Sequence, residues 1–206
     1  MNIYSFPYSL PSYRARLAAS MLGFSFETVN VDLMVGEHKS QDYLDINPLG
    51  KIPALSDNYQ GQLLTITDSM AILRYLARRS DNDAAYPESE LDTVAKIDVY
   101  LSMVANELFD SVETGRIIKT FKMKDEAEYP ACSGLAYELF DQLDKDLAQS
   151  KYLASDQMTI ADIAVLSTLV YFGEAGLSLD NHPNIERWMK DMKASNGYIA
   201  PALMQN

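Results

Sequence analysis

The segment NPLGKIPALSDNYQGQLLTITDSMAI, residues 47–72, contains side chains whose types and spacing indicate a binding site. Pro53 stands among the strand-forming residues Ile52, Ala54 and Leu55, although proline cannot donate to a sheet ladder. It is explained either as an edge-strand or turn proline, or by a cis Ile52–Pro53 bond. The cis bond would turn the chain and leave the Ile52 backbone free to pair with an extended peptide.

Asp68 and Ser69 precede an apolar, helix-like run and also have two explanations. The first is an ordinary helix N-cap. In the second, the helix N-terminus holds a carboxylate through its unpaired N–H groups, with Ser69 as a further donor. The Asp68 carboxylate would then bind an ammonium group. A ligand with both groups on one carbon is an amino-acid head, so we hypothesise a short anionic peptide as ligand.

Periodicity and turn residues predict seven elements in residues 1–79, in the order β-α-β-α-β-β-α. The strands are predicted at 2–6, 24–33, 52–57 and 62–67, with DNYQG joining the last two as a hairpin connector. The helices are predicted from Pro11 to Gly23, at 39–46 and at 69–79. The first part of the chain is therefore predicted to be an α/β unit.

Residues 80–87 are polar and are predicted to be a linker, followed by an all-α domain at 88–206. Its helices are predicted at 91–119, 134–149, 158–172 and 184–192. Thr159-Ile-Ala-Asp162 has the form of a capping box, with Met158 and Ile163 as a hydrophobic staple. The fold class is thus α/β plus all-α.

Composition excludes several other classes of protein. The net charge of −12 arises in residues 80–206, with ten basic and twenty-two acidic residues, and no basic stripe favours nucleic-acid binding. No apolar run is long enough for a membrane span, and the N-terminus lacks the pattern of a secretory signal. The only cysteine, Cys132, rules out an internal disulfide and a cysteine-rich metal site, so we expect a cytoplasmic protein without a metal.

Taken in order, the motifs resemble those of the cytosolic glutathione transferases over nearly the full length. NPLGKIPAL resembles the family's strand-3 motif, in which the proline is cis and the preceding residue, here Ile52, pairs with the cysteinyl backbone of glutathione. TDSMAILRYLA resembles the helix start that binds the γ-glutamyl group, and TIADI resembles a capping box in the sixth helix. YPESELDTVAKID is like the entry into the second domain. The resemblance implies a thioredoxin-like domain with a mixed four-stranded sheet, a helical bundle, and a homodimer.

The resemblance also implies how the far end of glutathione is held. VGEHKSQDYLDINPLGKIPAL is similar to theta- and delta-like sequences of the family, in which His38 and Lys51 would contact the glycyl carboxylate. A cation at that position offsets an anion. Without the resemblance, His38 would be an exposed loop histidine and Lys51 a solvated lysine, and both explanations stay open.

The catalytic group in this family is a hydroxyl just after the first strand, which donates to the glutathione sulfur and favours the thiolate. The segment YSFPYSLPSYRAR contains several hydroxyls, of which Ser9 best matches the serine classes. Tyr4 and Ser12 are the alternatives, one inside the strand and one in the first turn of the helix. The segment has no cysteine, which excludes the cysteine mechanisms of other classes, and the absent Ser-Ser-Cys signature disfavours a zeta-class isomerase.

The second substrate, a small hydrophobic electrophile, would lie between the domains. The residues predicted to form its apolar wall are Tyr100, Met103, Val104, Leu108 and Phe109, each of which is equally well explained by packing in the helical core. Asn106 and Glu107 lie where some relatives direct a polar residue to the partner subunit's glutathione site. The function implied is conjugation of glutathione. The alternatives are glutathione-dependent peroxidase or isomerase chemistry, or a binding or regulatory module without catalysis.

Overall fold

The first part of the chain forms a four-stranded mixed sheet, as the sequence predicts. The computed structural model describes residues 1–204, and its strands are β1 (Asn2–Ser5), β2 (Glu27–Asn30), β3 (Ala54–Tyr59) and β4 (Gln62–Ile66). They stand in the order β2-β1-β3-β4, with β1 parallel to β2 and β3 antiparallel to both of its neighbours. The predicted thioredoxin-like arrangement is therefore confirmed.

Within residues 1–204, three helices accompany the sheet and five form the second domain. The first three are α1 (Leu10–Met21), α2 (Gln41–Leu44) and α3 (Ser69–Arg79). The others are α4 (Leu91–Ala105), α5 (Thr114–Lys119), α6 (Tyr129–Gln149), α7 (Ile160–Leu169) and α8 (Pro183–Lys193). A short 3-10 helix, Asp83–Ala85, lies in the predicted linker. The boundaries of the linker and of the helical domain stay predictions, and the last two residues of that domain lie outside the described part.

Several predicted boundaries are wrong: α6 begins at Tyr129 rather than at 134, and β2 is shorter than the predicted 24–33. Two further differences have identifiable reasons. The single helix predicted at 91–119 ends at Ala105, because Asn106 leaves the helical region (φ −117°, ψ −84°) and its side-chain amide donates to the Ser102 carbonyl at 2.9 Å. A π-helical turn, Phe109–Glu113, then leads into α5. The β3–β4 connector is only Gln60–Gly61, since both residues adopt positive φ and make the two-residue turn that suits a twisted hairpin.

Helix α7 is the centre of the second domain, and all ten of its residues are buried. Its first turn has the predicted capping box: the Asp162 carboxylate accepts from the Thr159 N–H at 2.9 Å, while the Thr159 hydroxyl accepts from the Ala161 N–H. Asp162 also accepts from the Leu153 N–H and from the Trp188 indole, at 3.0 and 3.1 Å. One buried carboxylate thus joins α7, α8 and the preceding loop. No helix in the described part is long and apolar enough to cross a membrane.

Arg14 joins the two domains through hydroxyl groups. From α1 its guanidinium donates to Ser167 and Thr168 on α7, at 2.9 and 3.0 Å, and to Ser69 at the start of α3, at 3.1 Å. The side chain is buried, and burial lowers the pKa of Arg14 to about 10. It is therefore a buried positive charge whose direct partners are neutral, at the point where three helices meet.

A second buried cluster, formed by Glu113, Arg116 and Glu174, lies next to Arg14. The Arg116 side chain approaches the Glu113 carboxylate at 3.6 Å, and Arg14 and Glu174 are the other charged groups that act on it. Burial raises the pKa of Glu113 to about 7, although both arginines oppose the increase. Folded protein therefore binds a proton at Glu113 more tightly than the unfolded chain does.

Replacing Glu113 with glutamine tests this linkage. Between the unfolded-state pKa of 4.5 and the folded-state pKa of about 7, the folded protein binds more protons at this residue. The stabilisation by protonated Glu113 is thus fully present below pH 4.5 and is lost as the pH rises through about 7. We expect Glu113→Gln to remove this decline, measured as the free energy of unfolding in urea across that interval.

The matched control is Glu186→Gln, which changes an exposed glutamate on α8. It should leave the pH dependence of the unfolding free energy as in the unmodified protein. Parallel curves for the Glu113→Gln variant and the unmodified protein would contradict the assignment of a raised pKa to Glu113.

Candidate active site

A cavity of about 290 Å³ lies between the two domains and is lined by five of the six predicted glutathione-binding residues. Its polar wall belongs to the first domain and includes Lys51, Ile52, Pro53, Asp68 and Ser69. Its other wall is apolar and comes from the end of α4 and the residue that follows the break: Val104, Ala105 and Phe109. The cavity therefore has a polar side suited to a charged peptide and an apolar side suited to a hydrophobic group.

The Ile52–Pro53 peptide bond is cis, as the resemblance implies. Ile52 precedes β3, whose pairing with β1 begins at Ala54, so the Ile52 N–H and C=O take no part in that ladder. The turn before the cis bond is fixed by two hydrogen bonds: the Lys51 carbonyl accepts from the Tyr43 hydroxyl at 2.7 Å and from the Asn47 amide at 2.6 Å. The backbone of Ile52 is thus presented to the cavity by a fixed turn.

Asp68 and Ser69 each use one hydrogen-bonding group of the side chain within the protein and keep another group available to a ligand. Asp68 is the N-cap of α3, and its Oδ1 accepts from the N–H groups of Met70 and Ala71 at 3.0 and 2.9 Å. Those two bonds leave Oδ2 outside the cap. The Ser69 hydroxyl oxygen accepts from Arg14 at 3.1 Å, which leaves its own proton as a donor. The cap and the hypothesised ligand contact are therefore compatible.

The turn before Lys51 brings the His38 segment close to it. Gly50 has φ of +57°, and a Cβ at this position would come within 2.8 Å of the His38 carbonyl oxygen, so only glycine allows the two segments to pack. Lys39 strengthens the contact by donating to the Gly50 carbonyl at 3.1 Å. Lys51 lines the cavity, whereas His38 lies beside it, half-buried, and its buried Nδ1 has no hydrogen-bond partner among residues 1–204.

Ser9 stands at the N-terminus of α1 as its cap, and it is half-buried rather than enclosed. Its hydroxyl oxygen accepts from the Ser12 N–H at 3.3 Å, so the hydroxyl proton is available to an acceptor beside the helix end. The partial positive charge of the helix N-terminus favours an anion at this position. Ser9 does not line the 290 Å³ cavity itself, but Pro11, two residues later, does.

The two alternative hydroxyls have other surroundings. The ring of Tyr4 packs edge-on against Tyr43, with centroids 6.1 Å apart, on the side of the sheet that α2 covers. Ser12 is fully buried, and its hydroxyl accepts from the Phe6 N–H at 3.4 Å. Of the three hydroxyls, that of Ser9 is the one that caps the N-terminus of α1.

Only part of the predicted apolar wall meets the cavity. Val104 and Phe109 line it, and Phe109 is 43% exposed. Tyr100 is buried and donates its hydroxyl to Asp146 on α6 at 2.9 Å, Leu108 is fully buried, and Met103 packs against the core. For these three, the structure agrees with the alternative of core packing. Tyr100 and Met103 face the core from α4 itself, whereas Leu108 follows the break after Ala105.

Asn106 and Glu107 lie on the surface at the break that follows α4. The Asn106 amide is used to cap that helix, through its bond to the Ser102 carbonyl. Among residues 1–204, no group of three or more His, Cys, Asp or Glu side chains is arranged to hold a metal ion.

The sequence reasoning missed several residues of the site. Arg14 lines the cavity as well as joining the domains, and Tyr43 and Asn47 hold the carbonyl before the cis bond. Met70 and Ala105 complete the lining on opposite walls. For Arg14 there was a signal: an arginine that falls on the apolar face of a helix, four residues after Leu10 and three before Leu17, must find buried partners.

Comparison with known proteins agrees with this architecture. The model of the glutathione S-transferase N-terminal domain matches residues 1–78, and the model of the C-terminal domain matches residues 67–196. The chain is 29% identical to glutathione S-transferase D6 of Drosophila melanogaster over 195 residues, which cover 93% of this chain and 86% of that protein. It is 27% identical to glutathione S-transferase hmp2 of Hypomyces subiculosus, with 84% of this chain and 85% of that protein covered.

A solved structure shows the same arrangement of both domains. A crystal structure of a glutathione S-transferase from Pseudomonas fluorescens matches with a TM-score of 0.86 at 25% sequence identity, and the match covers 97% of each chain. Family models, relatives and structure therefore agree along nearly the whole length, and the chain belongs to the glutathione S-transferase family.

Proposed function

We propose that this glutathione transferase conjugates the glutathione thiolate to small hydrophobic electrophiles in the cleft between its domains. The observation that carries the proposal is the pairing of two walls in one cavity. The Asp68–Ser69 helix start, the cis Ile52–Pro53 turn and Lys51 face the apolar end of α4. A tripeptide with a charged group at each end fits the polar wall, and an apolar partner fits the other.

The binding mode follows from the groups that remain available. The γ-glutamyl carboxylate is held by the α3 N-terminus and the Ser69 proton, and its ammonium by the Asp68 carboxylate. The Ile52 backbone pairs with the cysteinyl residue, as an added strand would. Lys51 and His38 hold the glycyl carboxylate. Arg14 adds a buried positive charge under the γ-glutamyl end.

In the reaction itself the protein stabilises the thiolate and orients the electrophile. The Ser9 hydroxyl donates to the sulfur and, with the N-terminus of α1, favours loss of the thiol proton to solvent. The sulfur lone pair then forms a bond to the electrophilic carbon. The bond to the leaving group breaks, and the leaving group departs with its electron pair. Val104 and Phe109 orient the electrophile beside the sulfur.

Replacing Ser9 with alanine should raise the apparent pKa of the bound glutathione thiol and spare most of its affinity. A hydrogen bond to a charged group contributes about 1.5–3 kcal/mol, so kcat/KM below neutral pH should fall about tenfold to hundredfold. The measurement is thiolate absorbance against pH, together with kinetics. Ser9→Thr keeps both the hydroxyl and the helix cap and serves as the control.

The alternative hydroxyl is tested in the same titration. Tyr4→Phe should leave the pKa of the bound thiol unchanged, because its ring packs against Tyr43. If the phenylalanine variant raises that pKa while Ser9→Ala does not, Tyr4 is the activating group and the assignment to Ser9 is wrong.

Replacing Asp68 with asparagine separates the two roles of that residue. Asparagine is as good an N-cap as aspartate, so the stability of the protein should be retained, but the charge that binds the ammonium is lost. We expect calorimetry to show glutathione affinity reduced about tenfold or more. Undiminished affinity would reduce Asp68 to a helix cap. Ser69→Ala should also weaken binding.

The reaction type is tested by offering each class of substrate to the same preparation. Conjugation predicts turnover of an aryl halide such as 1-chloro-2,4-dinitrobenzene, with Phe109→Ala altering the KM for the electrophile and not that for glutathione. Greater turnover of an organic hydroperoxide would indicate a peroxidase, and isomerisation of a cis-dienoate would indicate an isomerase. Saturable glutathione binding without turnover of any substrate would indicate a binding module.

We further propose a homodimer built on the exposed apolar surface of α4 and β4. On α4, Leu91, Ala95 and Val99 recur at every fourth position, and on β4 Leu63 is exposed. The exposed fractions of Leu91, Val99 and Leu63 are 78%, 62% and 77%. Exposed apolar side chains of this size are typical of protein interfaces where they form one patch, which is what we propose here. Asn106 and Glu107 follow the same helix and would approach the partner subunit's cleft.

A charge in this surface should dissociate the dimer. Val99→Asp is expected to shift the sedimentation-equilibrium mass toward that of one chain. The matched control is Met123→Asp, since Met123 is 78% exposed at a different place on the surface. Equal masses for the two variants would contradict the proposed interface.

The reduced co-substrate also indicates where the enzyme works. Glutathione is kept reduced in the cytosol, so we propose a cytoplasmic enzyme that removes reactive electrophiles. A fluorescent fusion that accumulated outside the cytoplasm would contradict this.

A further inference from the structure

Arg116 is a fully buried arginine of the second domain that contacts the loop before Ser9. Its Nη1 donates to the Tyr8 carbonyl at 2.8 Å, and its Nε donates to the Glu174 carboxylate at 2.5 Å. The guanidinium lies over the ring of Tyr171, 4.0 Å from the centroid, and 4.8 Å from that of Phe121. The side chain is therefore fixed by a carboxylate and two aromatic rings, and its contact with the first domain is to backbone.

The Tyr8 carbonyl belongs to the same peptide unit as the Ser9 N–H. That N–H donates to the Phe6 carbonyl at 3.1 Å, and the Ser9 carbonyl accepts from the Tyr13 N–H at 2.9 Å. Because Arg116 donates to the Tyr8 oxygen, both the C=O and the N–H of the Tyr8–Ser9 peptide are held by hydrogen bonds. Its orientation sets the direction in which the Ser9 hydroxyl points, because the side chain is attached at the next atom of the chain.

The opposite end of the contact is anchored as well. Glu174 accepts from Arg116 with one oxygen and from the Met204 N–H with the other, at 2.5 Å. The second carboxylate near the guanidinium, Glu113, approaches it at 3.6 Å. A chain of contacts thus runs from the C-terminal tail through Glu174 and Arg116 to the loop that carries Ser9.

We propose that Arg116 is a positioning residue for thiol activation, which holds the Tyr8–Ser9 peptide so that the Ser9 hydroxyl faces the glutathione sulfur. The proposal rests on the function proposed above. Arginine suits this position, since its planar fork donates to Glu174 and Tyr8 at once while the guanidinium lies over two aromatic rings. A lysine has one nitrogen and cannot reproduce both directions.

The test is a double-mutant cycle on the bound thiol. Arg116→Lys keeps a positive charge beside the two glutamates and should raise the pKa of bound glutathione and lower kcat/KM about tenfold or more, since small misplacements of catalytic groups are costly. Glutathione affinity should change little. In a Ser9→Ala background, Arg116→Lys should cause no additional rise, because the group through which it acts is absent.

Two results would overturn the proposal: an unchanged thiol pKa in Arg116→Lys, or an equal rise with and without the Ser9 hydroxyl. The second would mean that Arg116 affects the thiol by a route that does not pass through the Ser9 hydroxyl. If Arg116→Lys does not fold, Glu174→Gln replaces it, because it keeps the side-chain volume and loosens the anchor of the guanidinium. A smaller rise that depends on Ser9 is then expected, and no rise again contradicts the proposal.

The unmodified protein separates this proposal from the one it rests on. If its bound thiol ionises at the free value, the proposed thiol activation fails before any variant is compared. If that thiol is activated and Arg116→Lys leaves it so, only the role of Arg116 is wrong.

Discussion

The buried guanidinium of Arg14 is the contact on which the site most depends. It donates to three hydroxyls on two helices, Ser69 at the start of α3 and Ser167 and Thr168 on α7. Removing a buried charge from water is costly, so such a group persists only where its donors are satisfied. Because the acceptors belong to different domains, satisfying Arg14 also fixes the cleft between them and sets the Ser69 hydroxyl in place.

Two helix N-termini border the cleft, and the residue that caps each helix also has a proposed role in binding or catalysis. Asp68 and Ser9 are the caps of α3 and α1. Asp68 uses one carboxylate oxygen, and Ser9 uses its hydroxyl oxygen, to accept hydrogen bonds from its own helix. What remains, a carboxylate oxygen and a hydroxyl proton, is available to the proposed ligand. The same residues therefore stabilise the elements and carry the proposed binding and activation, which is why a cap and a ligand contact are not competing explanations here.

The order of elements could be predicted from sequence because it depends on local signals. Gly23 ends α1 with a positive φ of 81°, the Thr159–Asp162 box begins α7, and the alternation of the strands is short-range. For the cis Ile52–Pro53 bond and the Asp68–Ser69 pair, the residues left a binding role and an ordinary local explanation open, and the resemblance favoured the binding role. The fold and the polar half of the site followed from these signals.

The apolar wall of the cavity and the roles of the buried arginines depend on contacts between distant residues, which no local pattern encodes. The break at Asn106 replaces one long helix by two and decides that Phe109 lines the cavity while Leu108 is buried. Arg14 and Arg116 find acceptors more than fifty and one hundred residues away, respectively, so their roles required the tertiary structure. The acidic second half did not reveal that its buried glutamates support the site.

The measurement that most directly tests the account is the thiolate absorbance of glutathione titrated against pH, with and without the unmodified protein. We expect saturable binding and a bound thiol that ionises well below the free value of about 8.5, since the Ser9 hydroxyl and the N-terminus of α1 favour the anion. A bound thiol that ionises at the free value would contradict it.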